Sequence, residues 1–197
     1  MIKIIQPVKF VSLQGGVMSQ QLPDGCTILY NESEVSERIE TIGKQLAEEF
    51  IDNNPVVLVT LKGGFVFAAH LIQHMDIELE TAFVQPSSYK GGDRSSGKVD
   101  ILMDIHDDLA NRHVIIIEDV IDSGTTTTKL LELVQAKDPA SITMVTMIDK
   151  PHTHPPMQID YCCFVYEGDD FLIGWGLDFD QTYRNLPYIV AMPRPTT

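Results

Sequence analysis

The stretch Ile115-Ile116-Ile117-Glu118-Asp119-Val120-Ile121-Asp122-Ser123-Gly124-Thr125-Thr126-Thr127-Thr128 decides the fold. Its β-branched opening, with Val114 before it, reads as a buried strand over 114–117. A Gly and a hydroxyl run then lead into a helix that carries Leu130, Leu131, Leu133 and Val134. The first N–H groups of such a helix have no intrahelical partner and, with the helix dipole, make an anion site. Ser and Thr hydroxyls add donors, and a phosphate monoester fits there. Glu118 and Asp119 cannot serve that phosphate directly, because like charges repel. Carboxylates beside a phosphate cradle suit hydroxyl groups or a hard cation such as Mg²⁺. Hydroxyls together with a phosphate imply a phosphorylated sugar. Asp122, one step further into the loop, is free to accept or donate a proton. The plainer alternative is a helix cap with incidental hydroxyls, and two adjacent acids at a strand end are hard to explain that way.

Outward from this stretch the chain alternates apolar runs with helical patterns. Residues 56–60 read as a buried strand, followed by a Lys62-Gly63-Gly64 turn and an apolar helix over 65–74. Residues 141–148 form a third strand, ending at Asp149, Lys150 and Pro151. An earlier helix over 33–50 carries Val35, Ile39, Ile42 and Leu46 at the spacing of one buried stripe. Strand, turn, helix and strand in this order predict an α/β fold, a mainly parallel twisted sheet covered on both faces. Ligands of such sheets sit beyond the carboxyl ends of the strands. Three strands end there in polar residues: Lys62, the Glu118-Asp119 pair and Lys150.

The composition fits one domain. The chain has 197 residues, 44% hydrophobic and 21% charged, enough to bury a core. No apolar run approaches the roughly 20 residues that span a bilayer, and residues 1–10 lack the features of a secretory leader. Three cysteines, Cys26, Cys162 and Cys163, are too few for a disulfide framework or a zinc site, and predict a cytoplasmic protein. The net charge of −14 argues against partners that are bound by displacing counterions from phosphates, so neither nucleic acid nor a membrane is expected. Any phosphate site has to be local, built from backbone N–H groups, a metal ion and a few placed cations.

The central stretch resembles the phosphoribosyl-pyrophosphate motif of type I phosphoribosyltransferases, and its surroundings resemble the hypoxanthine-guanine branch of that family over about residues 58–188. Leu61-Lys62-Gly63-Gly64 resembles the family's pyrophosphate loop. Ser88-Tyr89, within 87–97, resembles its mobile closing loop, and Asp149-Lys150 its purine-reading lysine segment. Phe171-Leu172-Ile173-Gly174-Trp175-Gly176-Leu177-Asp178 resembles the base-stacking and metal segment, and Tyr183-Arg184-Asn185-Leu186-Pro187 the arginine segment. All five follow the family's order.

The resemblance implies a single domain over 1–197, with a core at about 35–165 and a small hood from about 1–34 and 166–197. It implies that Glu118 and Asp119 hold the ribose hydroxyls and that Asp122, Ser123, Gly124, Thr125 and Thr126 cradle the 5′-phosphate, with no separate role carried to Thr125. Lys62, Gly63 and Arg184 would meet the pyrophosphate, and the peptide before Lys62 can be cis. Phe171 would stack on the purine, Lys150 would donate to its O6, and backbone groups of Leu172 and Asp178 would read the remaining edge. Magnesium would be the cofactor, held by Asp178 with Glu118 and Asp119. Asp122 would take the N7 proton as the purine attacks, while Ser88 and Tyr89 close over the site. The implied reaction is purine salvage: phosphoribosyl pyrophosphate and hypoxanthine or guanine give IMP or GMP and pyrophosphate. A homodimer or homotetramer is the family's usual assembly.

Other motifs read as structural. Residues 92–99 nearly fit a P-loop but end in Val99, where a metal-binding hydroxyl belongs. His70 and His74, and His152 and His154, read as surface histidines, and Cys162 and Cys163 as core. Trp175 lies near the expected base site and is assigned no contact there. Rival functions are a xanthine-preferring enzyme, an RNA-binding regulator of the same fold, and a non-catalytic paralogue. The charge speaks against the second, and the presence of Asp122, Lys150 and Arg184 against the third.

Overall fold

A computed structural model describes residues 22–86, 101–103, 105 and 108–194. The expected closing loop with Ser88 and Tyr89, and the near-P-loop at 92–99, lie outside the described residues.

The main sheet is built from β2 (Val56–Thr60), β3 (Glu80–Pro86), β4 (Ile101–Met103), β5 (His113–Ile121), β6 (Ser141–Asp149) and β7 (Tyr161–Val165). Their order is β4-β3-β2-β5-β6-β7, parallel throughout except that β4 runs antiparallel to β3. The three strands expected from β-branched runs are its centre. Alternation along them sorts the core into two layers. Val57, Val59, Ile115, Ile117, Val145 and Met147 face one side, where Val35, Ile39, Ile42 and Leu46 of α1 (Glu32–Glu49) and Phe67 and Leu71 of α2 (Gly64–Ile72) cover them. Val56, Leu58, Val114, Ile116 and Met144 face the other, under Leu130 and Val134 of α3 (Thr125–Gln135). Each fully buried Val, Ile or Leu contributes about 1.5–3 kcal/mol. The start of α1 is set by a capping box: Asn31 accepts from the backbone of Ser33 and Glu34, and Glu34 accepts from the Asn31 N–H.

Two crossovers leave the centre in opposite directions. β2 passes through α2 to β3 on its left, and β5 passes through α3 to β6 on its right. Parallel crossovers keep one hand, so opposite travel puts α2 and α3 on opposite faces. The strand order therefore reverses between β2 and β5, and a crevice opens beyond their carboxyl ends.

One boundary differs from its expectation in a way that matters. The sequence places Glu118 and Asp119 at the end of a strand over 114–117, but β5 continues to Ile121. Pairing with β2 stops at Val59↔Ile117, whereas pairing with β6 runs on to Ile121↔Asp149. From Glu118 onward the β2-facing edge of β5 is open, so the acids sit on a rigid strand at the mouth of the crevice. A smaller difference is the helix expected over 65–74, which ends at Ile72.

A second, three-stranded antiparallel sheet has the order β1-β9-β8, from β1 (Thr27–Tyr30), β8 (Phe171–Ile173) and β9 (Ile189–Met192). Ile173, Leu186 and Val190 form its own small core, with Leu22, Cys26, Tyr183 and Tyr188 packed against them.

Candidate active site

The crevice holds a cleft of ≈ 280 Å³, bounded by Thr60 to Gly63 after β2, by Glu118 to Gly124 of β5 and its loop, and by Asp178 and Arg184. A neighbouring cavity of ≈ 150 Å³ shares Asp119, Val120, Asp122 and Asp178 with it and adds Lys150, Phe171, Leu172 and Arg194. Asp122 is one of the three acids, with Asp119 and Asp178, that stand where the two meet.

The loop after β5 is built for an anion. Gly124 lies at φ 71°, the left-handed conformation that glycine adopts without steric cost, and it starts α3. That helix has no capping side chain and no acid in its first turn. Its leading N–H groups therefore face the cleft without a built-in negative partner. The Ser123 and Thr125 hydroxyls lie 3.2 Å apart beside them.

Across the cleft the peptide Leu61–Lys62 is cis. Gly63 is required by close approach: a Cβ there would fall 1.6 Å from Asp119 Oδ2. Lys62 donates to the Gln181 side chain at 3.3 Å. Arg184 pairs with Asp178 at 2.8 Å and donates to the Gly176 carbonyl, and Asp178 also accepts the Gln181 N–H at 2.7 Å. Lys62 and Arg184 are thus brought to one mouth of the cleft.

Glu118 is buried, and its Oε1 has no hydrogen-bond partner, nor has the Thr60 hydroxyl. Burial, then the charge of Asp119, pushes the Glu118 carboxyl well above the usual carboxylate range, with Thr60 pulling weakly the other way. Burial also raises Asp119 to about 6, against two backbone N–H groups and Arg184, which lower it. A buried acid with one oxygen unsatisfied, beside a half-buried second acid, is a group prepared for donors that a ligand brings. Ribose hydroxyls or a hard cation answer that need. Among the described residues no group of three or more His, Cys, Asp or Glu is close enough to hold a metal alone. Magnesium suits such a place, since it is usually bound by one or two carboxylates together with substrate phosphates.

This electrostatics has a consequence for stability. The folded Asp119 holds its proton more tightly than the unfolded chain does, whose carboxyl has a pKa of about 3.9. The folded state therefore binds the extra proton between that value and about 6, and stability falls as pH rises through this window. Asp119→Asn removes that proton uptake. Urea unfolding at about pH 4.5, 5.5 and 6.5 should show a shallower fall for the variant than for the parent chain.

In the second cavity Lys150 is buried and donates to the Asp170 carbonyl at 2.8 Å. Burial lowers its pKa, partly offset by Asp122, Asp169 and Asp170. Phe171 is 38% exposed, leaving ring surface available for a stacked base. Leu172 lies on β8 beside it. Within the described part of the chain the expected site residues therefore line these two adjoining cavities, except Thr125, which lines neither. Sequence reasoning missed Arg194, whose guanidinium lies 4.9 Å from the centre of the Phe171 ring.

It also missed His154, expected at the surface. The His154 side chain is 4% exposed and meets Asp149 at 2.8 Å, because the Pro-rich turn after Lys150 folds back under the β5 loop instead of out into water. His70 fits its expectation better, as an exposed ring tilted against buried Trp175. Cys163 is buried, and burial raises Cys162 to about 11 and Cys163 to about 12, so neither is a reactive thiolate.

A parallel α/β sheet with paired acids on β5, an uncapped helix start, two cations and a second cavity gathered at one crevice matches the architecture of phosphoribosyl-transferring enzymes. A family model described as "Phosphoribosyl transferase domain" matches residues 26–182, beginning well before the residue 58 at which the motif resemblance starts. The chain is 37% identical over 163 residues to hypoxanthine-guanine phosphoribosyltransferase of Streptococcus pneumoniae, covering 82% of this chain and 90% of that one. It is 39% identical to the enzyme of that name from Lactococcus lactis, covering 82% and 88%. A crystal structure of a hypoxanthine phosphoribosyltransferase from Staphylococcus aureus superposes with a TM-score of 0.79 at 34% identity, covering 86% of this chain and 91% of that chain. The chain belongs to the hypoxanthine-guanine phosphoribosyltransferase family, and is a purine-salvage transferase acting on small molecules.

Proposed function

We propose that the enzyme transfers the 5-phosphoribosyl group of phosphoribosyl pyrophosphate to N9 of hypoxanthine or guanine, with Mg²⁺ as cofactor. The observation that carries this reading is the position of Asp122 between the hydroxyl-and-phosphate cleft and the cavity holding Lys150 and Phe171. A sugar in one and a base in the other would meet at that acid.

In this reading the N–H groups and hydroxyls of 122–126 take the 5′-phosphate, and Glu118 and Asp119 take the ribose hydroxyls. The bond from the anomeric carbon to pyrophosphate lengthens first, and positive charge develops on the ring. Bound Mg²⁺ would supply charge neutralisation on the pyrophosphate, held by Asp178 with Glu118 or Asp119. Lys62 and Arg184 meet the same leaving group once they exchange Gln181 and Asp178 for it. The purine, stacked on Phe171, forms its N9 bond to the anomeric carbon as Asp122 takes the N7 proton. Lys150 donates to O6, and backbone groups of Leu172 and Asp178 read the remaining edge. Ser88 and Tyr89 would close over the site and exclude water. The three-stranded sheet would be part of the hood over the base.

The reading extends to a single domain over 1–197, a cytoplasmic location and a homodimer or homotetramer. The cysteines Cys26, Cys162 and Cys163 are free, and no helix among the described residues is long and apolar enough to cross a membrane. Calorimetric titration with phosphoribosyl pyrophosphate, with and without Mg²⁺, tests the sugar and metal assignments. Binding that requires Mg²⁺ and weakens in Asp178→Asn supports them. Equal binding without the metal removes it from the site.

A further inference from the structure

The turn that follows Lys150 packs against the back of the phosphate loop. The Thr153 hydroxyl lies 2.8 Å from the carbonyl oxygens of both Asp122 and Lys150. The Lys150 N–H donates to the Ile121 carbonyl at 3.0 Å. The end of β5, which carries the proton acceptor, is thus tied to the end of β6, which carries the purine-reading lysine. His154 lies directly beneath Gly124: a Cβ at Gly124 would fall 3.1 Å from the His154 Cβ and 2.7 Å from Met157 Cε.

Both ring nitrogens of His154 face oxygens that only accept. Nδ1 is 2.8 Å from the Pro155 carbonyl, and Nε2 is 2.8 Å from Asp149 Oδ1. A neutral imidazole has one N–H and would turn a lone pair on one of these oxygens. Only the imidazolium donates to both. Two acids act on the ring: Asp149 at the end of β6 and Asp122 in the loop above. Burial opposes the charge, but the Pro155 carbonyl, Asp149 and Asp122 outweigh it, so the pKa is raised.

We infer that His154 is a positioning residue: clamped as a cation by Asp149 and Pro155, it supports the Gly124 turn from behind and sets the loop's affinity for a phosphate. The inference rests on the reading of 122–126 as the 5′-phosphate site. In a chain of net charge −14, a fixed cation behind that loop offsets part of the negative field that a phosphate must enter. Because the pKa is raised, the cation is present at and below the ordinary histidine value of about 6.5 and is lost as pH climbs through the raised value.

Two measurements test this. Nitrogen NMR of the ¹⁵N-histidine-labelled chain should show both His154 ring nitrogens protonated at about pH 6, and a neutral ring there overturns the inference. Next, KM for phosphoribosyl pyrophosphate is followed from about pH 6.5 to 9 in the parent chain, His154→Gln and Asp149→Asn, with folding checked by thermal melting. The parent KM should rise at alkaline pH. His154→Gln should begin about tenfold higher, as expected for one partly buried charge near an anion, and lack that rise. Its kcat should change little. Asp149→Asn, which keeps the ring, should move the rise to lower pH. A folded His154→Gln whose profile superposes on the parent's overturns the inference, as does a uniform KM increase that keeps the alkaline rise. Thr126→Ala separates the two levels. If it leaves KM for phosphoribosyl pyrophosphate unchanged, the phosphate-loop reading itself fails, whatever the state of His154.

Discussion

Asp122→Asn is expected to lower kcat by about 10²–10⁴-fold, the range that general acid–base catalysis supplies. KM for phosphoribosyl pyrophosphate should change little. The substitution keeps the size of the side chain and leaves the backbone untouched, including the Asp122 carbonyl to which Thr153 is bonded. In the proposed reading, phosphate binding in the loop relies on backbone N–H groups and hydroxyls, which remain. What is lost is the capacity to take a proton at the junction of the two cavities. An interaction made only in the transition state shows this signature, with kcat and kcat/KM falling together. Steady-state rates at saturating base and sugar check it. A loss under about threefold would mean that the N7 proton leaves by another path.

Lys150→Met is expected to act on the base instead. The ammonium is buried in the second cavity and is an N–H donor with nothing to accept, so in the proposed reading it suits O6 of hypoxanthine or guanine and rejects the amino group of adenine. Sites built on such a hydrogen bond discriminate by about 10⁴ or more. A charged hydrogen bond is worth about 1.5–3 kcal/mol, so kcat/KM for the 6-oxopurines should fall by about 10- to 150-fold. Their advantage over adenine should shrink at least as far. KM for phosphoribosyl pyrophosphate, measured in the same series, should stay near the parent value, because Lys150 lies outside the phosphate cleft. Unchanged base selectivity would take Lys150 out of base recognition.

The parts of this fold that were legible in the sequence are those where burial alone sets the residue type. β2, the first half of β5 and β6 are buried on both faces, so their sequences are near-continuous β-branched and apolar runs. α1 shows a single buried stripe of Val35, Ile39, Ile42 and Leu46, while its capping box at Asn31 and Glu34 emerged only from the structure. The second half of β5 was not legible, because Glu118 and Asp119 interrupt the apolar run while β6 alone supplies the pairing that continues the strand. Strands as short as β1, β8 and β9, of 4, 3 and 4 residues, carry too few alternations to show a period. In the site, Lys62, Asp122 and Lys150 could be placed because each follows a strand of the parallel sheet, and those strand ends converge. His154 could not, since its partners Asp149 and Gly124 are brought to it by a turn whose composition reads as exposed loop. Arg194 escaped for a similar reason: its contact with Phe171 depends on the pairing of β8 with β9.

The central claim, that this chain joins a 6-oxopurine to phosphoribosyl pyrophosphate, is tested most directly by the rate of pyrophosphate release with hypoxanthine, guanine, xanthine or adenine, each with and without Mg²⁺. Fast, magnesium-dependent release is expected with hypoxanthine and guanine, yielding IMP and GMP, and little with adenine. Preferred turnover of xanthine would correct the substrate, and no release with any base from folded protein in excess Mg²⁺ would contradict the account.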